Sequence, residues 1–255
     1  MMQRVGPMAS RLDRIDLLRA TAMLWMTVFH FCFDLDHFGF IRADFHHDPF
    51  WTWQRSAIVS LFLFTAGLSQ AVALSQGQGW PRFWRRWGQV AGAALLVTVG
   101  SMLMFPKSFI YFGVLHGIAV MLIVVRLTAG WGAWLWPLGA LAIAAKFIAP
   151  VVIAAVPALT VFNSPGLNAL GFISRLPVTE DYVPLLPWLG VMWWGVAAGR
   201  WALLHRPQWL GSGDAPATGL QRGLVTLGRW SLSYYLLHQP VLIGLLTALV
   251  WLRGP

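Results

Sequence analysis

An all-α, polytopic membrane protein is the fold this sequence predicts, with about seven helices in a single bundle and eight crossings as the alternative. Three observations carry that expectation. Hydrophobic residues make up 58% of the 255 positions and charged ones only 11%, where a globular domain carries about 25% charged residues. Mean hydropathy is +0.64. Several stretches nearly free of ionisable groups approach or exceed the roughly 20 apolar residues that cross a bilayer as a helix. A water-soluble, a disordered and a disulfide-stapled chain are excluded, and Cys32, the single cysteine, offers neither a bridge nor a Cys-based metal site.

Taken in order, the apolar runs predict spans at 17–38, 55–76, 88–105, 110–127, 131–155, 184–204 and 230–252. The first run is too long for a cleavable signal, has no small-x-small site, and contains Asp16, Arg19, His30 and Asp34. The second carries Gly67 and Ser69, and the sixth Gly195 and Gly199, small residues of the kind that let helices approach closely. The fifth region is open between two readings. Residues 131–162 form either one long tilted span with an interfacial segment, or two short spans hinged near Lys146 and Pro150. The stretch 205–223, rich in Gly, Pro and Arg, reads as a flexible loop. Many of the 16 tryptophans sit at the ends of apolar runs, where an amphipathic ring anchors at headgroup level. No repeat or linker divides the chain, which reads as one domain over 1–255 with its core at 11–252.

Charge placement orients the bundle. With seven spans and the N-terminus inside, 12 Lys/Arg lie on the inner side and 5 outside, with Lys146 within a span. With eight spans the split is 10 to 8. The excess of basic residues on cytoplasmic loops favours seven and a cytoplasmic N-terminus. The net charge of +9 therefore reads as a response to anionic lipid headgroups. Nucleic acid is not an expected partner, because basic and aromatic residues do not interleave along a strand-tracking surface.

Ionisable groups at membrane depth are costly, at about 2.5–3.5 kcal/mol for Asp, Lys or Arg even on permissive scales, and so point to cavities or to partners. His30 and Asp34 stand four apart on one face of the first span, with His37 one turn further. A carboxylate one turn from an imidazole can hold its tautomer and raise its basicity, which prepares a general base. The alternative is a structural His–Asp hydrogen bond. A His-Asp-His metal site fits the spacing, but no Cys or Glu partner supports it, and no metal is expected. His116 in the fourth span, Arg55 at the start of the second and Asp181-Tyr182 before the sixth fall at similar outer depth, with His238 near the middle. Together they predict a polar cavity open to the outer face. On the inner side Asp16 and Arg19 can pair across one turn. Arg82, Arg85, Arg86, Arg200, Arg206, Arg222 and Arg229 form a basic rim. That rim serves lipid contact and topology, or docks an anionic cytoplasmic ligand such as the phosphates of a nucleotide-like cofactor.

Four segments carry a family resemblance. RLDRIDLLRATAMLWMTVFHFCFDLDHFGF at 11–40, with FLFTAGLSQ ending the next span, resembles the opening of bacterial membrane proteins grouped with the catalytic domain of heparan-α-glucosaminide N-acetyltransferase. YFGVLHGIAV, DYVPLLPWLGVMWWGVAAGR and LGRWSLSYYLLHQPVLI resemble the later segments of that group in the same order, so that the likeness spans about 11–250. It implies transfer of an acetyl group from cytosolic acetyl-CoA to an amine or hydroxyl acceptor, typically a sugar, across the membrane. By matching segment it implies His30, Asp34, Arg55, His116, Asp181 and His238 as polar signature positions. It also implies a catalytic histidine in the first loop, at His46 by an ungapped count back from Gly67. One departure stands out: the usual Arg-Gly of the first span is Arg19-Ala20 here, adding a methyl where a backbone or ligand could approach.

The sequence thus predicts an acyltransferase of the inner membrane. His30 held by Asp34, or else His116, with His46 as the loop candidate, would deprotonate the acceptor or carry the acyl group. Arg55, Asp181, Tyr182 and His238 would bind the acceptor, a glycan or lipid-linked sugar. Arg19, Arg82, Arg85, Arg86 and Arg229 would bind acetyl-CoA. Direct and ping-pong transfer both remain open. The rival class is a transporter for a small polar or anionic solute with a His–Asp proton relay, against which stands the lack of an inverted repeat.

Overall fold

The computed structural model describes residues 13–211 and 218–253. Arg4 and Arg11, two of the 12 basic residues that the seven-span reading places on the inner side, lie outside the described residues. Seven long helices and one short one follow in order: α1 Asp13–His37, α2 Pro49–Ser75, α3 Trp80–Met104, α4 Val114–Thr128, α5 Leu135–Ala155, α6 Leu185–His205, α7 Gly219–Arg229 and α8 Ser231–Arg253. Five segments are long and apolar enough to cross a membrane: Asp13–His37, Pro49–Ser75, Trp80–Met104, Val114–Ala155 and Ser231–Leu252. The fourth, 42 residues long, contains both α4 and α5. The chain is an integral membrane protein of all-α architecture. The end of the bundle where α1 begins is called the near end below, and the opposite end the far end.

Local chemistry explains the boundaries. The Asp48 carboxylate accepts the Phe50 amide at 2.8 Å, and Pro49 follows as the first helical residue, so α2 begins with a cap and a pre-set φ. Gly39, at φ 76°, turns the chain out of α1 as only glycine does without strain. Between α4 and α5, Gly132 at φ 61° and ψ −125° breaks the helix. The fifth region resolves as a single helix plus a short 3-10 segment at Pro157–Asn163. Lys146 and Pro150 lie within α5 and form no hinge. Pro150 deletes one amide, and the helix runs on past it to Ala155.

Close approach of backbones sets the centre of the bundle. A Cβ on Gly67 of α2 would run into the Met192 carbonyl and Val196 amide of α6, and one on Gly195 into the Phe64 carbonyl. Gly139 of α5 and Gly190 of α6 interlock the same way. In a lipid environment such contact replaces the hydrophobic driving force that helices have in water. Hence α6, rich in Gly and Trp, lies packed between α2 and α5 and buries Met192 and Val196 completely. Gly67 and Gly195 meet the packing expectation, whereas Ser69 has another task described below.

The expected loop over 205–223 needs correcting. Pro207–Trp209 forms a 3-10 turn, and α7 starts at Gly219, where the Thr218 hydroxyl accepts the Gln221 amide at 3.2 Å. The helix is amphipathic. It buries Val225, exposes Leu220, and rests Gly228 directly on the Asp16 carbonyl of α1. Its apolar stripe is too short for a span and escaped a hydropathy reading for that reason. At the far end, the segment before α6 docks on the one before α4. The Glu180 amide donates to the Ser108 carbonyl at 2.8 Å, and the Val183 amide to the Phe112 carbonyl at 3.0 Å, beside a bridge between Phe112 and Tyr182.

Candidate active site

A cavity of about 1070 Å³ opens at the near end, walled by α1, α2, α3, α4 and the α7–α8 junction. Its lining holds Arg19, Arg82, Arg85, Arg86 and Arg229, five guanidinium groups against one carboxylate, Asp16. Helical spacing brings Arg82, Arg85 and Arg86 of α3 to the same mouth, since residues three and four apart share a face. Arg19 is braced: it donates to Asp16 at 2.6 Å and to the Ser69 hydroxyl at 2.6 Å. Arg229 reaches Asp13 at 3.1 Å and Asp16 at 3.6 Å. Arg82, Arg85 and Arg86 form no ion pair among the described residues, and Arg86 is near enough to Arg19 for the two charges to repel. A multivalent anion satisfies such an arrangement.

Deeper in, the wall turns apolar at Met23, Phe62, Val114 and Leu115, and Tyr235 of α8 forms part of the floor. One turn beyond Tyr235 comes His238, whose Nδ1 lies 2.8 Å from the Tyr235 carbonyl oxygen. Its Nε2 lies 2.7 Å from Nδ1 of His30 on α1, with the two rings 12° from parallel. The Tyr234 ring lies 7° from parallel with that of His238, and its hydroxyl meets that of Thr27 at 2.7 Å. The pairing expected inside α1 is therefore corrected. His30 bonds to His238, and Asp34 instead accepts from Gln239 Nε2 at 2.7 Å. The reason is geometric. α8 crosses α1 at this level and presents His238 and Gln239 in consecutive positions, so that each takes one of the two polar groups on the α1 face. Asp34 is only 3% exposed, and its second oxygen has no partner among the described residues.

A family model described as heparan-alpha-glucosaminide N-acetyltransferase, catalytic, matches residues 11–240. The chain belongs to this family. No curated protein and no solved structure matches it. As a heparan-alpha-glucosaminide N-acetyltransferase family member it is of the transmembrane acetyltransferase type. The matched region contains α1 to α7, the start of α8 and every site residue named above.

The remaining candidate residues of this family member divide by location. Asp181 and Arg55 are electrostatic neighbours at the far end. Asp181 caps α4, its Oδ2 accepting the Val114 amide at 2.7 Å. Burial pushes its carboxyl up from the usual range, while that amide and the Arg55 charge pull it back. Tyr182 donates to the Asn168 carbonyl at 2.6 Å, and burial raises its phenol above the ordinary value. His116 stands apart from the His30–His238 pair. Its Nε2 meets the Thr98 hydroxyl at 2.9 Å, and it lines a separate apolar crevice between α3 and α4. His46 lies exposed in the first loop, its ring 6.4 Å from Phe33, next to Asp44, whose carboxyl is held low by the His47 and His46 amides. Arg200 donates to the Ala129 carbonyl just past α4, away from the cavity lining. Among the described residues no three His, Cys, Asp or Glu side chains come together as a metal-holding group.

Ser69 reads in the sequence only as a small packing residue, and Tyr235 and Gln239, with neither charge nor imidazole, do not stand out as site residues. For Tyr235 and Gln239 the signal lies in register: Tyr235 precedes His238 by three residues, and Gln239 adjoins it.

Proposed function

We propose that this chain transfers an acyl group, acetyl in the simplest case, from acyl-CoA bound at the near end to an amine or hydroxyl of a sugar-type acceptor arriving from the far end. The near end is then cytoplasmic, in keeping with its excess of arginine. The observation that supports this reading best is the cavity itself, with five arginines at the mouth and apolar walls leading toward an imidazole pair. Arg82, Arg85 and Arg86, with the braced Arg19 and Arg229, would hold the phosphates of CoA. The apolar wall would take the pantetheine arm and direct the thioester to Tyr235. Asp181, Arg55 and Asp34 would meet the acceptor from the other side.

The test is acetyl-CoA binding by the purified protein in nanodiscs. Hydrogen bonds to charged groups contribute about 1.5–3 kcal/mol each, so Arg85→Ala/Arg86→Ala weakens binding roughly a hundredfold or more. Unchanged affinity in that variant contradicts the assignment of the mouth to phosphate. No binding by the wild type, with flux of a small anion in its place, favours a transporter.

A further inference from the structure

We infer that His238 is a positioning residue that locks His30 in its Nδ1–H tautomer and leaves the Nε2 lone pair of His30 as the proton acceptor of the site. A backbone carbonyl oxygen can only accept a hydrogen bond. The Tyr235 carbonyl oxygen lies 2.8 Å from His238 Nδ1, so that nitrogen carries the hydrogen. A neutral imidazole has one N–H, which makes His238 Nε2 an acceptor. His30 Nδ1, 2.7 Å away, is then the donor. Its own single hydrogen is used, and His30 Nε2 is left with a lone pair.

Both rings are neutral in this arrangement. Among the described residues no carboxylate bonds to either ring, the Asp34 oxygen being taken by Gln239, and an unpaired imidazolium at this depth is costly. Stacking of Tyr234 on His238, 7° from parallel, holds the ring plane that the relay requires. The Tyr234 hydroxyl is itself directed. Thr27 donates to the Met23 carbonyl at 2.8 Å, so Tyr234 donates to Thr27. Within the pair donation runs from His30 to His238 to the Tyr235 carbonyl, from α1 to α8, while Tyr234 and Gln239 donate from α8 to α1 on either side of it.

What Nε2 accepts rests on the acyl-transfer reading. The acceptor's N–H or O–H bond breaks as its heteroatom bonds the thioester carbon, and the proton goes to His30 Nε2. The carbon–sulfur bond then breaks, and the departing CoA thiolate takes that proton back, leaving the acylated acceptor, CoA thiol and neutral His30.

The experiment is ¹⁵N NMR of histidine-labelled protein in nanodiscs, with His30 assigned by its loss in His30→Gln. The expected wild-type spectrum shows His30 protonated at Nδ1 and bare at Nε2. His238→Leu removes the acceptor and releases His30 to the Nε2–H form, while His238→Gln, whose Oε1 can accept, keeps the wild-type tautomer. In parallel, CoA release falls in kcat by about 10²-fold in His238→Leu at unchanged acetyl-CoA affinity, and His238→Gln recovers most of it. A wild-type His30 protonated at Nε2, or a His238→Leu spectrum identical to wild type, overturns the inference. The tautomer needs no acyl donor for its readout. The expected spectra with no CoA chemistry under any condition would therefore overturn acyl transfer and leave the relay standing.

Discussion

Nε2 of His238 lies 2.7 Å from Nδ1 of His30, joining residues 208 positions apart across α1 and α8. This contact stands one turn past the floor of an arginine-mouthed cavity and so links two features that the helices otherwise keep separate. The consequences divide by which part of that path is altered.

The mouth is expected to read phosphate. Acetyl-pantetheine keeps the thioester and loses the nucleotide phosphates, so it binds far more weakly than acetyl-CoA. In Arg85→Ala/Arg86→Ala the gap between the two ligands narrows by roughly two orders of magnitude. Isothermal titration at fixed ionic strength measures both ligands. A gap that survives the double substitution places the phosphates elsewhere.

Asp34 is expected to be dispensable for the tautomer of His30, since its carboxylate bonds to Gln239. Asp34→Asn keeps an oxygen for that amide and leaves acetyl-CoA hydrolysis, measured without any acceptor, within about threefold of wild type. Loss of a hundredfold or more would restore the His30–Asp34 pairing that the α1 spacing alone suggests.

The Gly67–Gly195 contact is expected to carry much of the stability of the bundle. Gly67→Val drives a side chain into the backbone of Met192 and Val196, atoms that cannot swing aside. The cost is at the upper end of the overpacking range, about 3 kcal/mol. Unfolding of purified protein by SDS titration reads it, with Gly88→Val, where no atom lies within 4 Å, as the control.

Asp181 gives a pH dependence of definite sign. Burial raises its carboxyl above the ordinary value of 3.8, so the folded state holds the proton more tightly than the unfolded chain. The associated stability is fully present below that ordinary value and is lost as pH rises through the raised one. Asp181→Asn keeps an acceptor for the Val114 amide and removes this slope. Melting temperatures across the mildly acidic range, wild type against variant, test it. Parallel curves would mean that the carboxyl titrates normally.

Much of the architecture was written in local pattern. Apolar runs mark the seven long helices to within a few residues at most ends, and Arg82, Arg85 and Arg86 stand out in the sequence as part of a basic rim on the inner side. α7 was hidden because 11 residues with a narrow apolar stripe leave little mark on a hydropathy scan. The partner of His30 was hidden for a different reason. A helical wheel orders residues within α1, but which of them meets α8 depends on the crossing of two helices more than 200 positions apart. His116 shows the same limit, since depth alone grouped it with His30 while its helix face turns it toward Thr98.

The most direct test of transmembrane acyl transfer uses proteoliposomes in which the arginine-lined end faces the outer buffer. Acetyl-CoA labelled in its acetyl group is supplied outside, and an amino sugar is trapped within. Acyl transfer across the bundle predicts labelled, acetylated sugar inside the vesicles with matching CoA outside, both abolished by His30→Gln. Acetylated sugar formed only when both substrates share one side, or CoA released with no acylated product, would contradict it.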